Sequence, residues 1–273
     1  MSPHREKSRQ ERLYAGTIAM DKDFYAEVAK GNVLNHSLVH KFGRNDNVAI
    51  STWEPVTQLG TINWRTSAAT MRVKAGGNAA DTAAGDNARE VVIQGIVVDS
   101  NGNLTEGSEA VATAGASASA ATTLTFWRVH RAWVSATGTY GAANLGAITI
   151  EDSAGAADQI IIAAAEGQSQ FAAYTIPEGY TGYMISVSVT VDSNKVANIR
   201  CFAREAFDTV AAPMQAPRIK FHWDGVVGAF NFQPVGPTSF LPEKTDVWFE
   251  AYGDGGAIEA SVDFEILLVK DGI

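Results

Sequence analysis

The feature that most constrains this chain is the alternation of apolar and polar side chains in short runs, each closed by Gly, Asn, Asp or Ser, from Val48 to Val269. Successive residues of an extended strand point to opposite faces, so such runs make half-buried strands, and their turn-bounded spacing predicts an antiparallel sandwich or barrel. In Tyr183–Val191 the alternation puts Tyr183, Ile185, Val187, Val189 and Val191 inward and Met184, Ser186, Ser188 and Thr190 outward. Arg218–Trp223 sets Ile219, Phe221 and Trp223 against Arg218, Lys220 and His222. The last run sets Ile258, Ala260, Val262, Phe264, Ile266 and Leu268 against Glu259, Ser261, Asp263 and Glu265. Val91–Val98 leads through DSNGN into Leu104–Val111, so Asn101-Gly102 reads as a tight hairpin turn. Leu124–Val134 (LTFWRVHRAWV) carries large side chains on both faces, as a strand covered on two sides does. The small-residue run Ala110–Thr123 reads as a flexible loop or a flat strand end.

One stretch reads as helix. Asp21 or Asp23 can cap it, Phe24, Tyr25 and Val28 share a face, and Gly31 ends it after Lys30. From Gly31 to Asn47 the Asn and Gly content predicts an extended or irregular connector laid on a surface. The expected fold is all-β: an N-terminal arm over 1–47 with one short helix, then two sandwich-like or jelly-roll-like modules over 48–155 and 156–273. The break is placed at EDSAGAAD, Glu151–Asp158; a single larger jelly-roll-like sandwich is the alternative. The charged start MSPHREKSRQER leads into no signal-peptide core, and no run of about 18 apolar residues suggests a membrane span. Ser2–Arg12 reads as a solvated tail or as a docking arm that orders on a partner.

Composition narrows the chemistry. A lone Cys201 among 273 residues excludes an intrachain disulfide and multi-cysteine metal sites, and a net charge of -9 argues against a broad nucleic-acid face. His36 and His40 are the only histidines at a metal-like spacing, but the Asn- and Gly-rich surroundings disfavour the helix that would aim both at one ion, so no metal is expected. DSNGNLTE has calcium-loop oxygens, yet its glycine and final Glu fall at the wrong places, and a hairpin turn accounts for it. AGGNAADTAAGDN lacks the lysine of a phosphate loop, and no serine sits in a nucleophile elbow. No enzymatic activity and no cofactor are expected. In DVWFEAY, Val247, Phe249 and Ala251 share one face and Trp248, Glu250 and Tyr252 the other. Trp248 and Tyr252 thus form a contact with the other module or a neighbouring subunit, or alternatively a sugar-stacking platform. Trp127 and Trp133 are read as packing residues.

DFYAEVAKGNVLNHSLVHKFGRND (Asp23–Asp46), TIPEGYTGYMISVSV (Thr175–Val189) and the closing EKTDVWFEAYG and VDFEILLV resemble a recurrent group of tailed-bacteriophage virion proteins. The resemblance runs over nearly the whole chain and implies a non-enzymatic component of the particle with no catalytic residues. The expectation is a capsid decoration or cement protein, located in the virion after assembly in the host cytoplasm. It would be a homo-oligomer that binds the major capsid protein or other virion proteins, with no nucleic acid or membrane partner. The alternative is a tail or receptor-binding module that recognises a glycan. The expected partner-binding residues are Phe24, Tyr25, Val28 and Phe42 as anchors, Arg44 pairing with an acidic site, and Trp248 and Tyr252. The arm is expected to be mobile in the free protein and ordered in the particle.

Overall fold

A computed structural model describes residues 23–192 and 194–272; the basic segment Ser2–Arg12 lies outside the described residues. Among the described residues the fold is all-β and its strands pair antiparallel, apart from one short helix, α1 (Phe24–Ala29), and a 3-10 turn at Gly236–Thr238. Asp23 caps α1, its Oδ1 accepting from the Ala26 N–H at 2.9 Å, and Gly31 leaves it at a φ of +75°, which favours glycine. None of the described helices is long and apolar enough to cross a membrane.

The strands in chain order are β1 (His36–Val48), β2 (Trp53–Pro55), β3 (Met71–Val73), β4 (Ala88–Val98), β5 (Leu104–Ala112), β6 (Phe126–Thr137), β7 (Ile148–Asp152) and β8 (Asp158–Ile162). They continue with β9 (Ala173–Thr175), β10 (Tyr180–Val191), β11 (Val196–Arg204), β12 (Arg218–Val226), β13 (Ala229–Phe232), β14 (Phe240–Leu241), β15 (Asp246–Asp254) and β16 (Ile258–Lys270). One sheet runs β1-β16-β10-β13, with β14 also on β10; a second runs β12-β11-β15-β2, with β9 also on β15. Their inner faces share one core that includes Met184, Val187, Phe249, Phe264 and Ile266. The sheets β5-β4-β6 and β3-β7-β8 share a second core around Phe126, Ile93, Ile150 and Ile160.

The large sandwich is therefore discontinuous. It is built from β1, β2 and β9 to β16, and the second pair of sheets, β3 to β8, is inserted between β2 and β9. This order cuts across the division expected from sequence. Residues 36–47 are not an arm: β1 pairs along its length with β16, from His36 opposite Val269 to Val48 opposite Ile258. The Glu151–Asp158 segment is not a boundary, because β7 and β8 pair across it. The Asp152 carboxylate organises that turn, accepting from the N–H groups of Ala154, Ala156 and Ala157.

Directly opposite residues of an antiparallel pair share a face, so β1 turns Val39, Lys41, Gly43 and Asn45 to the side of Ile266, Phe264, Val262 and Ala260. Polar and glycine residues on the inner face disguise β1 as a connector. Gly43 is there because the chain passes close: a Cβ on it would lie 2.1 Å from Ala172 N and 2.4 Å from Val56 O.

β16 follows its alternation, with Ile258, Ala260, Val262, Phe264, Ile266 and Leu268 all buried. β10 does so only from Val187 onward. A bulge at Ile185 shifts its register against β16 between Met184 and Ser186, so Met184 faces the core and Tyr183 packs on Phe240 instead. In β12 Phe221 is buried but Ile219 is exposed, since the strand lies at the sheet edge. The Asn101-Gly102 hairpin forms as expected, with Asp99 Oδ1 accepting from Asn101 and Asn103 N–H at 2.8 Å each. Those contacts turn the calcium-like oxygens onto their own backbone. The small-residue run after Ala112 is tied down rather than loose, because Thr122 and Ser119 hydroxyls accept the N–H groups of Met71 and Val73 on β3.

Candidate functional site

The inserted sheets dock on the outer face of β15, and the polar chemistry of the molecule gathers in that seam. Trp248 projects from β15 into the second core, 5% exposed, stacked on Phe202 at 5.2 Å and edge-on to Trp64 at 5.1 Å. Its buried side chain is thus unavailable to the sugar-stacking platform that was the alternative reading of this face. The outer face of β15 is covered there, and of the two structural alternatives it is the contact with the other module that holds.

At the start of β15, Asp246 is fully buried. Its Oδ1 accepts from Arg128 Nε at 3.0 Å and Thr175 Oγ1 at 2.7 Å, and its Oδ2 accepts from Arg128 Nη2 at 3.0 Å and from Arg204. Arg128 comes from β6 of the insert, Arg204 from β11 and Thr175 from β9, so one carboxylate joins four strands and both modules. Burial draws the Arg128 pKa down and the Asp246 charge pulls it back up. The guanidinium also lies 4.5 Å from the Phe207 ring centroid and 5.1 Å from that of Trp64. A second tie runs through the Pro177-Glu178-Gly179 turn, where Glu178 N–H and Oε2 meet Leu104 of β5 and Oε1 meets Lys244 at 2.9 Å.

Beside this staple, β1, β4, β5, β6 and β9 line a solvent-open pocket of about 180 Å3 whose wall holds Lys41, Gln94, Glu106, His130, Arg131 and Tyr174. Lys41, at an inward position of β1, is buried and donates to the His130 carbonyl. Burial, reinforced by Arg131, lowers its pKa well below the usual lysine value. His130 is likewise driven down by burial and by Lys41, Arg128 and Arg131, and its Nε2 accepts the Thr175 N–H at 3.1 Å. Burial raises Glu106, against the pull of Lys41 and Arg131.

The expected partner-binding residues fall in three places. Phe24 and Tyr25 stand outside, 36% and 44% exposed, in edge contact at 5.5 Å, while Val28 is buried and fastens α1 to the body. Phe42 and Arg44 lie on the outer face of β1, where Phe42 packs beside His40 at 5.9 Å and Arg44 pairs with Glu259 of the same chain at 2.8 Å. Tyr252 is separated from Trp248 in environment. It meets Trp53 of β2 at 5.3 Å, and Trp53 also meets His222 at 5.6 Å, with the Arg200 guanidinium 4.0 Å from the Trp53 ring centroid. Glu250, between Trp248 and Tyr252 in sequence, binds Trp248 Nε1 at 2.9 Å and Arg200 at 2.6 Å.

His36 and His40 sit four residues apart on a strand, where a rise of about 3.3 Å per residue separates them too far to share an ion. Among the described residues no group of three or more His, Cys, Asp or Glu side chains could hold a metal. Sequence reasoning missed Asp246, Lys41, His130 and Trp53 as contributors. Asp246 carried a signal, a carboxylate at the first position of a strongly alternating strand. The other three showed none, since their setting depends on where the insert docks.

No protein-family model matches this chain, and no curated protein matches it. Among solved structures, that of the infectious bursal disease virus Gx strain overlaps 87% of this chain and 72% of that one, at 12% identity and a TM-score of 0.25. The broad bean stain virus structure overlaps 75% of this chain and 85% of that one, at 13% identity and a TM-score of 0.17. An isomalto-dextranase of Arthrobacter globiformis T6, complexed with panose, overlaps 84% of this chain and 35% of that one, at 15% identity and a TM-score of 0.22. Scores this low establish no shared topology, and the set mixes virus particles with an enzyme, so it assigns no role.

Proposed function

We propose that this chain is a non-enzymatic structural protein of a virus particle, a decoration or cement protein that attaches to a capsid shell and stabilises it as a small homo-oligomer. The sequence resemblance to tailed-phage virion proteins suggests the role. The observation that carries it is α1, which is pinned to the body by Val28 yet turns Phe24 and Tyr25 outward. Two exposed aromatic rings on a fixed helix make a low-entropy anchor for a neighbouring protein, and repeated by symmetry such contacts hold a lattice without any one being tight. The seam suits the same task, because a block stapled through Asp246 transmits load without its modules moving apart.

The test is addition of the protein to purified particles that lack it. The variant F24A/Y25A is expected to lose most of its occupancy while keeping the wild-type melting transition, whereas full occupancy would overturn the anchor. Truncation must stop short of His36, since β1 belongs to the body. A second reading, a tail or receptor-binding module that recognises a glycan, is favoured by the Trp53, Tyr252 and His222 cluster flanked by Arg200 and Glu250. Glycan-array binding that W53A abolishes would support it.

A further inference from the structure

We propose that the pocket between β1 and β6 binds a small oxyanion, a carboxylate or a phosphate. The argument is a count of donors against acceptors. Because His130 Nε2 accepts the Thr175 N–H, the neutral ring carries its proton on Nδ1, and that buried N–H has no partner within the protein. The Tyr174 hydroxyl is also buried without a partner, and burial holds its pKa well above the usual value, so it keeps its proton to donate. Lys41 spends one N–H on the His130 carbonyl and Arg131 one on the His40 carbonyl, which leaves further N–H groups on both.

The one carboxylate in the wall is Glu106, and it already accepts the Gln94 amide at 3.2 Å. Arg131 offsets the charge of Glu106, and Lys41, His130 and Tyr174 add donors on top of that balance, so the wall holds more donors than acceptors. Orphaned buried donors cost stability until an acceptor reaches them, and an oxyanion supplies several acceptor lone pairs at once. Water takes ~30 Å3 per molecule in the liquid, so the space suits an acetate or an inorganic phosphate with a water or two.

The site is independent of any role in a particle and is tested on the isolated full-length protein. Isothermal titration with sodium acetate and with sodium phosphate, at ionic strength held constant with sodium chloride, is expected to give saturable binding at one site per chain. R131Q should weaken it about tenfold or more through loss of a charge-assisted contact, and Y174F about threefold. R218Q removes an exposed arginine elsewhere and should leave the affinity unchanged. Saturation by acetate alone would name a carboxylate ligand, and by phosphate alone a phosphate. Heats no different from chloride for both anions, or affinities unmoved by R131Q, would overturn the proposal. R131Q carries the test even if Y174F does not fold, because Arg131 is only partly buried.

Discussion

Replacing Asp246 by alanine tests whether the two modules are held by one buried carboxylate. The substitution removes an acceptor of four hydrogen bonds, three of them from guanidinium groups, at a site with no solvent access. Arg128, 4% exposed, then keeps its charge with only the Arg65 and Trp127 carbonyls as hydrogen-bond acceptors. Summing the lost bonds singly would overshoot, since they share one acceptor group and are not additive. The governing quantity is the cost of leaving a buried charge uncompensated, about 3 to 5 kcal/mol. For a chain of this size about 2 to 4 °C is lost per kcal/mol, so the melting temperature of D246A should fall by roughly 6 to 20 °C. The reference is E259A, which deletes the Arg44 pair on the exposed outer face and should change stability by less than about 1 kcal/mol. Urea unfolding followed by tryptophan emission reads both, as Trp64 and Trp248 lie in the seam. If D246A lost no more than E259A, the staple would be geometry without energetic consequence and the rigid-block argument would fail.

Three further outcomes are expected. G43A should destabilise by about 2 kcal/mol or more in the same urea assay, because the new Cβ meets backbone at Ala172 and Val56, which no rotamer change relieves. His130 stays neutral in the folded state, so below its ordinary value of 6.5 the unfolded chain binds the extra proton. Stability should then fall with decreasing pH by up to about 1.4 kcal/mol per pH unit, a slope that H130Q should reduce. Cys201, buried with its pKa pushed far up by desolvation, should resist alkylation at neutral pH in the native protein and react only in denaturant.

Much of the architecture was legible because one face of each long strand meets a purely apolar core. β16 and the far half of β10 read correctly residue by residue for that reason. The near half of β10 did not, since the bulge at Ile185 reverses faces and no local residue type announces it. β1 was illegible because polar partners meet its inner face, Lys41 reaching the His130 carbonyl of the insert and Asn45 the Pro55 carbonyl of β2, at positions that elsewhere hold Phe or Val. The Trp248 face followed the same logic. Alternation placed it opposite Phe249 correctly, but which sheet lies over that face is a tertiary fact. The helix, by contrast, is set by Asp23 and Gly31, both local signals, and appeared where expected.

The insertion of β3 to β8 between β2 and β9 also sets an order of events in folding. Most of the inserted strands pair with near neighbours in sequence, β4 with β5 and β6 and β7 with β8; β3 alone waits for the more distant β7. The near pairs can close while the chain is still being made, at small loop entropy. β1 has no such option. Its partner β16 is the last of the described strands, with His36 opposite Val269, so an early strand must wait, unpaired, for a late one. Long-range antiparallel closure of this kind is slow. During that interval the edge of β16 that β1 will cover stays open, the exposed-edge condition under which strand exchange between copies competes with closure.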